Sequence, residues 1–239
     1  IVNLFTFILL ILGLIFFYFS CENSKKNLNE IFYFLILCLS NYIVIRDGTI
    51  PMDYAWSFFF FSAGFFFFSR EKNEISIIFF SLCLGSRINY ILFIIPVIFL
   101  YRNNSISIEK RIVTILSILF FGGLFFVPTW LSEGFSLRFI FSSEWFNFFR
   151  PEPIFSILSI GKFSYKVLLT FGIINFLIFI IYFFRLKNKS LSRFNLYIIL
   201  VAINLLLYFI FPWQQAHLWV FIFSINFILI KLFDNKLII

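Results

Sequence analysis

Charged side chains are scarce in this chain. Asp, Glu, Lys and Arg together make up 13% of its 239 residues, and histidine occurs once. The three cysteines, Cys21, Cys38 and Cys83, are an odd number without metal-type spacing, so they indicate neither a disulfide framework nor zinc. No Asp or Glu lies deep in an apolar run, which weakens the case for a proton- or sodium-coupled transporter.

Apolar residues are abundant instead, at 62% of the chain with 43 Phe and a mean hydropathy of +1.02. These values exclude an ordinary soluble domain and predict an all-α, polytopic transmembrane helical bundle that forms a single domain over residues 1–239. The chain begins with Ile1 rather than Met, and one interpretation is that upstream spans precede it. About nine apolar segments are expected: 2–19, 31–45, 54–69, 75–85, 88–101, 112–131, 166–184, 196–211 and 218–232.

Arg87 interrupts the apolar run from Ile75 to Tyr101. In one continuous span its guanidinium would lie near the bilayer centre, at a cost of roughly 2.5 to 3.5 kcal/mol or more. We therefore predict two short arms and a hairpin turn at Gly85-Ser86-Arg87. With that turn, the strongly basic loops all fall on one side, which the positive-inside rule makes cytoplasmic. Their cations lie in Lys25-Lys26, 70–72, 102–111 (with Arg111), 185–193, and Lys231 with Lys236. The formal net charge of +8 is then explained by topology, and no nucleic-acid partner is expected.

Two groups of intramembrane residues receive structural interpretations. The runs Phe58–Phe61 and Phe65–Phe68 are predicted to face lipid rather than to form an aromatic binding site. The asparagines within or beside spans are predicted to form interhelical hydrogen bonds: Asn41, Asn89, Asn175, Asn204 and Asn226.

Three loops are expected on the extracytoplasmic side. The stretch from Arg46 to Asp53 carries a guanidinium and the carboxylates of Asp47 and Asp53. The loop 132–165 is long and aromatic, and the short segment 212–217 contains Gln214, Gln215 and His217. Arginine can hold phosphate oxygens through two hydrogen bonds, and an aspartate can accept the proton of an attacking hydroxyl. The loops therefore suit an enzyme that acts on a lipid-linked phosphate.

The order of motifs carries a resemblance. Asp53 opens the span 54–69, Leu82-Cys83-Leu84-Gly85-Ser86-Arg87 precedes an arm with Pro96, and Phe126-Val127-Pro128-Thr129-Trp130 and Phe211-Pro212 follow. Over residues 46–232 this order resembles the multi-spanning GT-C glycosyltransferases, the superfamily of protein O-mannosyltransferases and lipid A aminoarabinose transferases. Two features depart from that pattern. The superfamily's main acidic residue follows an N-terminal span, so either it lies upstream of Ile1 or Asp47 and Asp53 match a second, supporting position. Where members often present an aromatic residue in the closing loop, this chain has His217 and Trp219.

The resemblance implies transfer of a sugar from a polyprenyl-phosphate donor to an acceptor on the outer face of the cytoplasmic (inner) membrane. Asp53 or Asp47 would assist the acceptor hydroxyl or orient the donor. Arg87 would neutralise the departing phosphate, with Arg46 also in the substrate-binding set, and Gln214, Gln215 and His217 would hydrogen-bond the sugar. No cofactor or metal site is expected, although some members use a divalent metal. The partners are the donor and the lipid bilayer.

Two other functions stay open at this stage. A polymerase or flippase for polyprenyl-linked oligosaccharides would use the same basic residues, and a membrane transporter is the third class. If Arg87 does not bind a phosphate, its expected partner is Glu133, Glu144 or Glu152 of the long loop.

Overall fold

The computed structural model describes residues 2–21, 28–49, 53–101, 106–132, 157–171, 180, 194–210 and 218–234. All regular structure within these ranges is helical, so the expected all-α class is confirmed for them. The helices are α1 (Val2–Cys21), α2 (Leu28–Leu39), α3 (Tyr42–Thr49), α4 (Asp53–Ser69), α5 (Asn73–Ser86), α6 (Ile91–Leu100), α7 (Ile108–Leu124), α8 (Val127–Ser132), α9 (Ile157–Phe171), α10 (Asn195–Ile210) and α11 (Trp219–Asp234).

The chain reverses direction at Arg87, where the hairpin was predicted. Arg87 follows α5 and contacts Asp53, the first residue of α4. After a short 3-10 turn and α6, the ring of Tyr101 packs against Phe65, late in α4, with centroids 5.4 Å apart. The segment therefore runs to the start of α4 and then returns along it.

Small residues bring α4 and α5 into close contact. A Cβ atom on Gly64 would lie 2.6 Å from the ring of Phe80, so the missing side chain of Gly64 lets this ring pack directly on the α4 backbone. The hydroxyl of Ser76 donates to the Gly64 carbonyl at 2.9 Å, and the Cys83 thiol donates to the Ser57 carbonyl at 3.2 Å. Contacts of this type, between small residues and backbone, are typical of helices packed within membranes.

The prediction that the phenylalanine runs face lipid is wrong for half of their members. Phe58, Phe61, Phe65 and Phe68 are fully buried. They recur at helical spacing along α4, against which α1, α5, α6 and α11 pack. A central helix in an apolar bundle has large apolar side chains on its inner faces too, which composition alone does not distinguish.

Contacts of α11 identify the two ends of the bundle. Trp219 packs against Tyr54 at 6.2 Å between ring centroids, and farther along α11 Lys231 pairs with Glu30. One turn after Trp219, Phe223 packs against Phe58 with ring centroids 4.6 Å apart, so α4 and α11 run in the same direction. We call the two ends the Asp53 end (Asp53, Arg87 and Trp219) and the Glu30 end (Glu30, Tyr101 and Lys231).

Three predicted segments differ from the helices observed. The segment 31–45 is two helices that meet at 83°, because the Asn41 side chain accepts the Ile43 N–H at 3.0 Å and starts α3 anew. The segment 112–131 begins earlier, at Ile108, and breaks at residues 125–126 between α7 and α8. The segment 166–184 overlaps α9, which starts at Ile157, and its part beyond residue 171 lies outside the described residues apart from position 180.

The asparagine prediction holds at two positions. Asn204 Oδ1 accepts the Phe221 N–H at 2.7 Å, and Asn226 Nδ2 donates to Cys38 Sγ at 3.5 Å. Both bonds join different helices. Asn41 makes the local bond described above, and Asn175 lies outside the described residues.

By length and composition, helix Asn3–Ser20 could cross a membrane alone within the described ranges. A second span results if Leu28–Leu39 and Ile43–Thr49 are counted together, and the remaining apolar helices are shorter. The structure thus contains one or two candidate spans. The nine-segment bundle stays a prediction.

Candidate functional site

Backbone contacts hold Arg87 at the tip of the hairpin. The residue is extended, with φ −150° and ψ 108°, between the end of α5 and the 3-10 turn. Its N–H donates to the Cys83 carbonyl at 2.9 Å, and its own carbonyl accepts the Tyr90 N–H at 3.1 Å. Because hydrogen bonds anchor both sides of this peptide, the side chain projects from a fixed point.

Asp53 meets this side chain from the first turn of α4. Arg87 Nε lies 2.5 Å from Asp53 Oδ2 and Nη2 lies 3.0 Å from Oδ1, which makes a two-pronged ion pair. The Arg87 side chain is 15% exposed and that of Asp53 is 47% exposed. A carboxylate at a helix N-terminus is also stabilised by the helix dipole.

The ring of Tyr54 packs against one face of the Arg87 guanidinium. The Arg87 Cζ atom lies 3.5 Å from the centroid of the Tyr54 ring, within the range of a strong cation–π contact. Tyr54 is buried and packs in turn against Trp219, which is also buried. A stack of three side chains from three elements thus fixes the orientation of the cation.

The charge of Arg87 is secure at all ordinary pH values. Burial alone would lower the pKa of Arg87, but the hydrogen bond and the negative charge of Asp53 raise it above its usual range. The site therefore always contains a cation with two donors directed toward one carboxylate.

Arg46 and Asp47 form a second pair at the same end. Structure places both in helix α3 rather than in the expected loop, with Arg46 Nε 2.6 Å from Asp47 Oδ1. The Asp47 side chain is 9% exposed, and its Oδ2 atom is buried without a hydrogen-bond partner. The charges of Asp47, Asp53 and Arg87 all act on the Tyr54 hydroxyl, so both ion pairs lie near one tyrosine.

The structure therefore brings four of the predicted site residues to one end of the bundle: Arg46, Asp47, Asp53 and Arg87. The remaining three, Gln214, Gln215 and His217, lie outside the described residues. Trp219, considered as the aromatic of the closing loop, is instead the first residue of α11 and packs on Tyr54. Within the described ranges, no group of three or more His, Cys, Asp or Glu side chains could hold a metal ion.

One partner of Arg87 was missed in the sequence. With no acid nearby in sequence, the expected partner is a donor phosphate or else a glutamate of the long loop, and those glutamates lie outside the described residues. Among the described residues, Arg87 pairs with Asp53, 34 residues earlier, which α5 brings close by running antiparallel to α4. Tyr54 was not singled out, although its place directly after Asp53 at a helix start is a signal that could have identified it.

A third ion pair lies at the Glu30 end. Lys231 Nζ pairs with Glu30 Oε2, and the Tyr18 hydroxyl donates to the same oxygen at 2.7 Å. Their side chains are largely buried, so Lys231 is not the loop cation that the sequence suggested. This cluster joins α1, α2 and α11.

Arg111 is likewise no loop cation. It lies in the first turn of α7, is buried, and donates to the carbonyls of Ile98, Tyr101 and Ile106. A cation on the last carbonyls of α6 satisfies groups that the helix itself leaves unpaired.

Neither a protein-family model, a curated protein nor a solved structure matches this chain. Functional inference therefore depends on the residues and contacts described above.

Proposed function

We propose that this chain is a membrane glycosyltransferase. It moves a sugar from a polyprenyl-phosphate donor to an acceptor hydroxyl at the Asp53 end, on the extracytoplasmic face of the cytoplasmic membrane.

The outer face of α7 supports a lipid environment. Its outward residues are large and apolar, with exposures between 44% and 64%: Ile112, Val113, Leu116, Leu119 and Phe120. The buried residues of the same helix include Arg111, Thr114 and Gly122. A helix in water would place its apolar residues inward, so this arrangement favours hydrocarbon around the bundle.

The distribution of cations supports the orientation. Arg70, Lys72, Lys110 and Arg111 lie near the Glu30 end, where α4 ends and α7 begins. At the opposite end, Arg46 and Arg87 are each paired with a carboxylate. Since Lys and Arg are retained on the cytoplasmic side, this distribution supports an extracytoplasmic Asp53 end.

The paired charges suit sugar transfer in a direct way. The acceptor oxygen bonds to the anomeric carbon, the bond from that carbon to the phosphate oxygen breaks, and the electron pair leaves on the polyprenyl phosphate. Arg87 stabilises the charge that develops there. The proton of the acceptor hydroxyl passes to a carboxylate, Asp53 or Asp47.

The observation that carries the proposal is the two-pronged contact between Arg87 and Asp53 at one end of a bundle with an apolar surface. Its test uses membranes that contain the whole chain and a panel of radiolabelled polyprenyl-phosphate sugars. We expect Arg87→Ala to reduce label transfer by roughly 100- to 1000-fold, because a fixed charge on the leaving group is lost. Arg87→Lys should retain part of the activity.

Arg70→Ala is the matched control, since Arg70 is an exposed arginine near the Glu30 end. It should leave transfer unchanged. Normal transfer by Arg87→Ala at equal protein level in the membrane would show that Arg87 has no role in donor chemistry and would remove the basis of the proposal.

A further inference from the structure

Asp53 occupies one of the two edges through which the Arg87 guanidinium can hold a phosphate with two hydrogen bonds. Nε and Nη2 of the guanidinium donate to the two oxygens of one carboxylate, at 2.5 Å and 3.0 Å. Two phosphate oxygens present nearly the same geometry to an arginine. A carboxylate and a phosphate cannot both take these two donors at once.

We propose that Asp53 is a placeholder for the donor phosphate, which displaces it from Arg87 when the donor binds. This inference rests on the proposed function, because it assumes that Arg87 is the phosphate site. Displacement also leaves the Asp53 carboxylate beside the phosphate, where the acceptor hydroxyl must arrive. Donor binding thereby releases the group that accepts the proton.

The two partners differ in their freedom to move. Arg87 is held by backbone hydrogen bonds on both sides and by the ring of Tyr54, and its side chain is 15% exposed. Asp53 is the first residue of its helix and its side chain is 47% exposed. An exposed side chain with two rotatable bonds can turn away at little cost, whereas a stacked and buried guanidinium cannot. The carboxylate is therefore the partner that leaves.

The neighbouring pair supplies a matched control. Asp47 is also a carboxylate in contact with an arginine near Tyr54, but its partner is Arg46. Asp47→Asn removes the same charge from the same end without uncovering Arg87. It separates the removal of a competitor from a general reduction in negative charge.

The test measures binding of farnesyl phosphate to the purified whole chain in detergent, with farnesol as the uncharged probe. We expect Asp53→Asn to bind farnesyl phosphate about three- to tenfold more tightly than the natural chain, because the competing carboxylate is gone. Asp47→Asn should change the affinity much less. Arg87→Ala should weaken it, and farnesol should bind all the variants equally. Apparent melting temperatures show whether each variant is folded. If Asp53→Asn or Arg87→Ala fails to fold, Asp53→Ser or Arg87→Gln takes its place.

The outcomes separate this inference from the proposed function. If Arg87→Ala weakens binding while Asp53→Asn does not tighten it, or if Asp47→Asn tightens it equally, the placeholder role is wrong and the phosphate site stands. If Arg87→Ala leaves the affinity unchanged, the phosphate site itself is wrong, and the placeholder role is lost with it.

Discussion

Arg87 shows how one charge can be accommodated in an apolar region by two partners of different kinds. Asp53 neutralises its edge, and the ring of Tyr54 covers its face. Burial of a lone guanidinium would be very costly, but a paired and stacked one keeps both its charge and its position. The sequence identified the cation and the acid separately. It could not join them, because their contact depends on the packing of α5 against α4.

Replacement of Tyr54 tests the stack at the residue scale. Tyr54→Leu should lower the free energy of unfolding by about 0.5 to 2 kcal/mol through the lost cation–π contact, besides the effect of the smaller side chain. Tyr54→Phe keeps the ring and should lose less. Equilibrium unfolding in detergent measures the free energy of unfolding of both variants. In an Arg87→Gln background the cost of Tyr54→Leu should shrink, and an unchanged cost there would mean that ring and cation are not energetically coupled.

The packing of α5 against α4 depends on the absence of a side chain at Gly64. Gly64 faces the fully buried ring of Phe80, where an added Cβ would lie 2.6 Å away. Gly64→Ala should therefore destabilise the bundle by about 1 to 3 kcal/mol. The apparent melting temperature in detergent is the measurement.

Gly123 in α7 is the matched position, because an added Cβ there meets no atom within 4 Å. Gly123→Ala should be neutral or stabilising by up to about 1 kcal/mol, since alanine favours a helix over glycine. Equal destabilisation by both substitutions would argue that helix contact at Gly64 is not the cause.

Helix boundaries were predictable where apolar runs end at charged residues, and less so elsewhere. The hairpin at Arg87 follows from the cost of a central charge, which holds in any packing. The break at Asn41 is different, since an asparagine within an apolar run can cap a new helix or bond to a neighbouring one. The sequence favoured the second use, and the structure shows the first.

The topology of the whole molecule is testable by cysteine labelling. In a background with Cys21, Cys38 and Cys83 replaced, a membrane-impermeant maleimide added from outside should modify cysteine at positions 53 and 217 but not at 110 or 189. The reason is the concentration of basic residues near Lys110. Permeabilised cells control for the reactivity of each position. Labelling of position 110 in intact cells would reverse the orientation and place the Asp53 end in the cytoplasm.

For the whole molecule, the sequence could establish the helical class, because it follows from hydropathy. It could also establish that Arg87 and Lys110 lie at opposite ends of the bundle, because this follows from the distribution of charge. It could not establish which apolar surfaces lie inside. Phe58 and Phe65 belong to a central helix, and only the positions of the surrounding helices show this. The same limit applies to Tyr54, whose role depends on its neighbours in space.

The Glu30–Lys231 pair links residues that are 201 positions apart. A ribosome makes the chain from its N-terminus, so Glu30 emerges long before its lysine exists. Until then, the Glu30 carboxylate of α2 is without this lysine partner, although Tyr18 of α1 can already donate to it. Helix α11, which is buried along residues 219–230, has to enter a space already shaped by earlier helices. Packing of α11 against α1 and α2 is therefore completed only after α11 has been made, when Lys231 reaches Glu30.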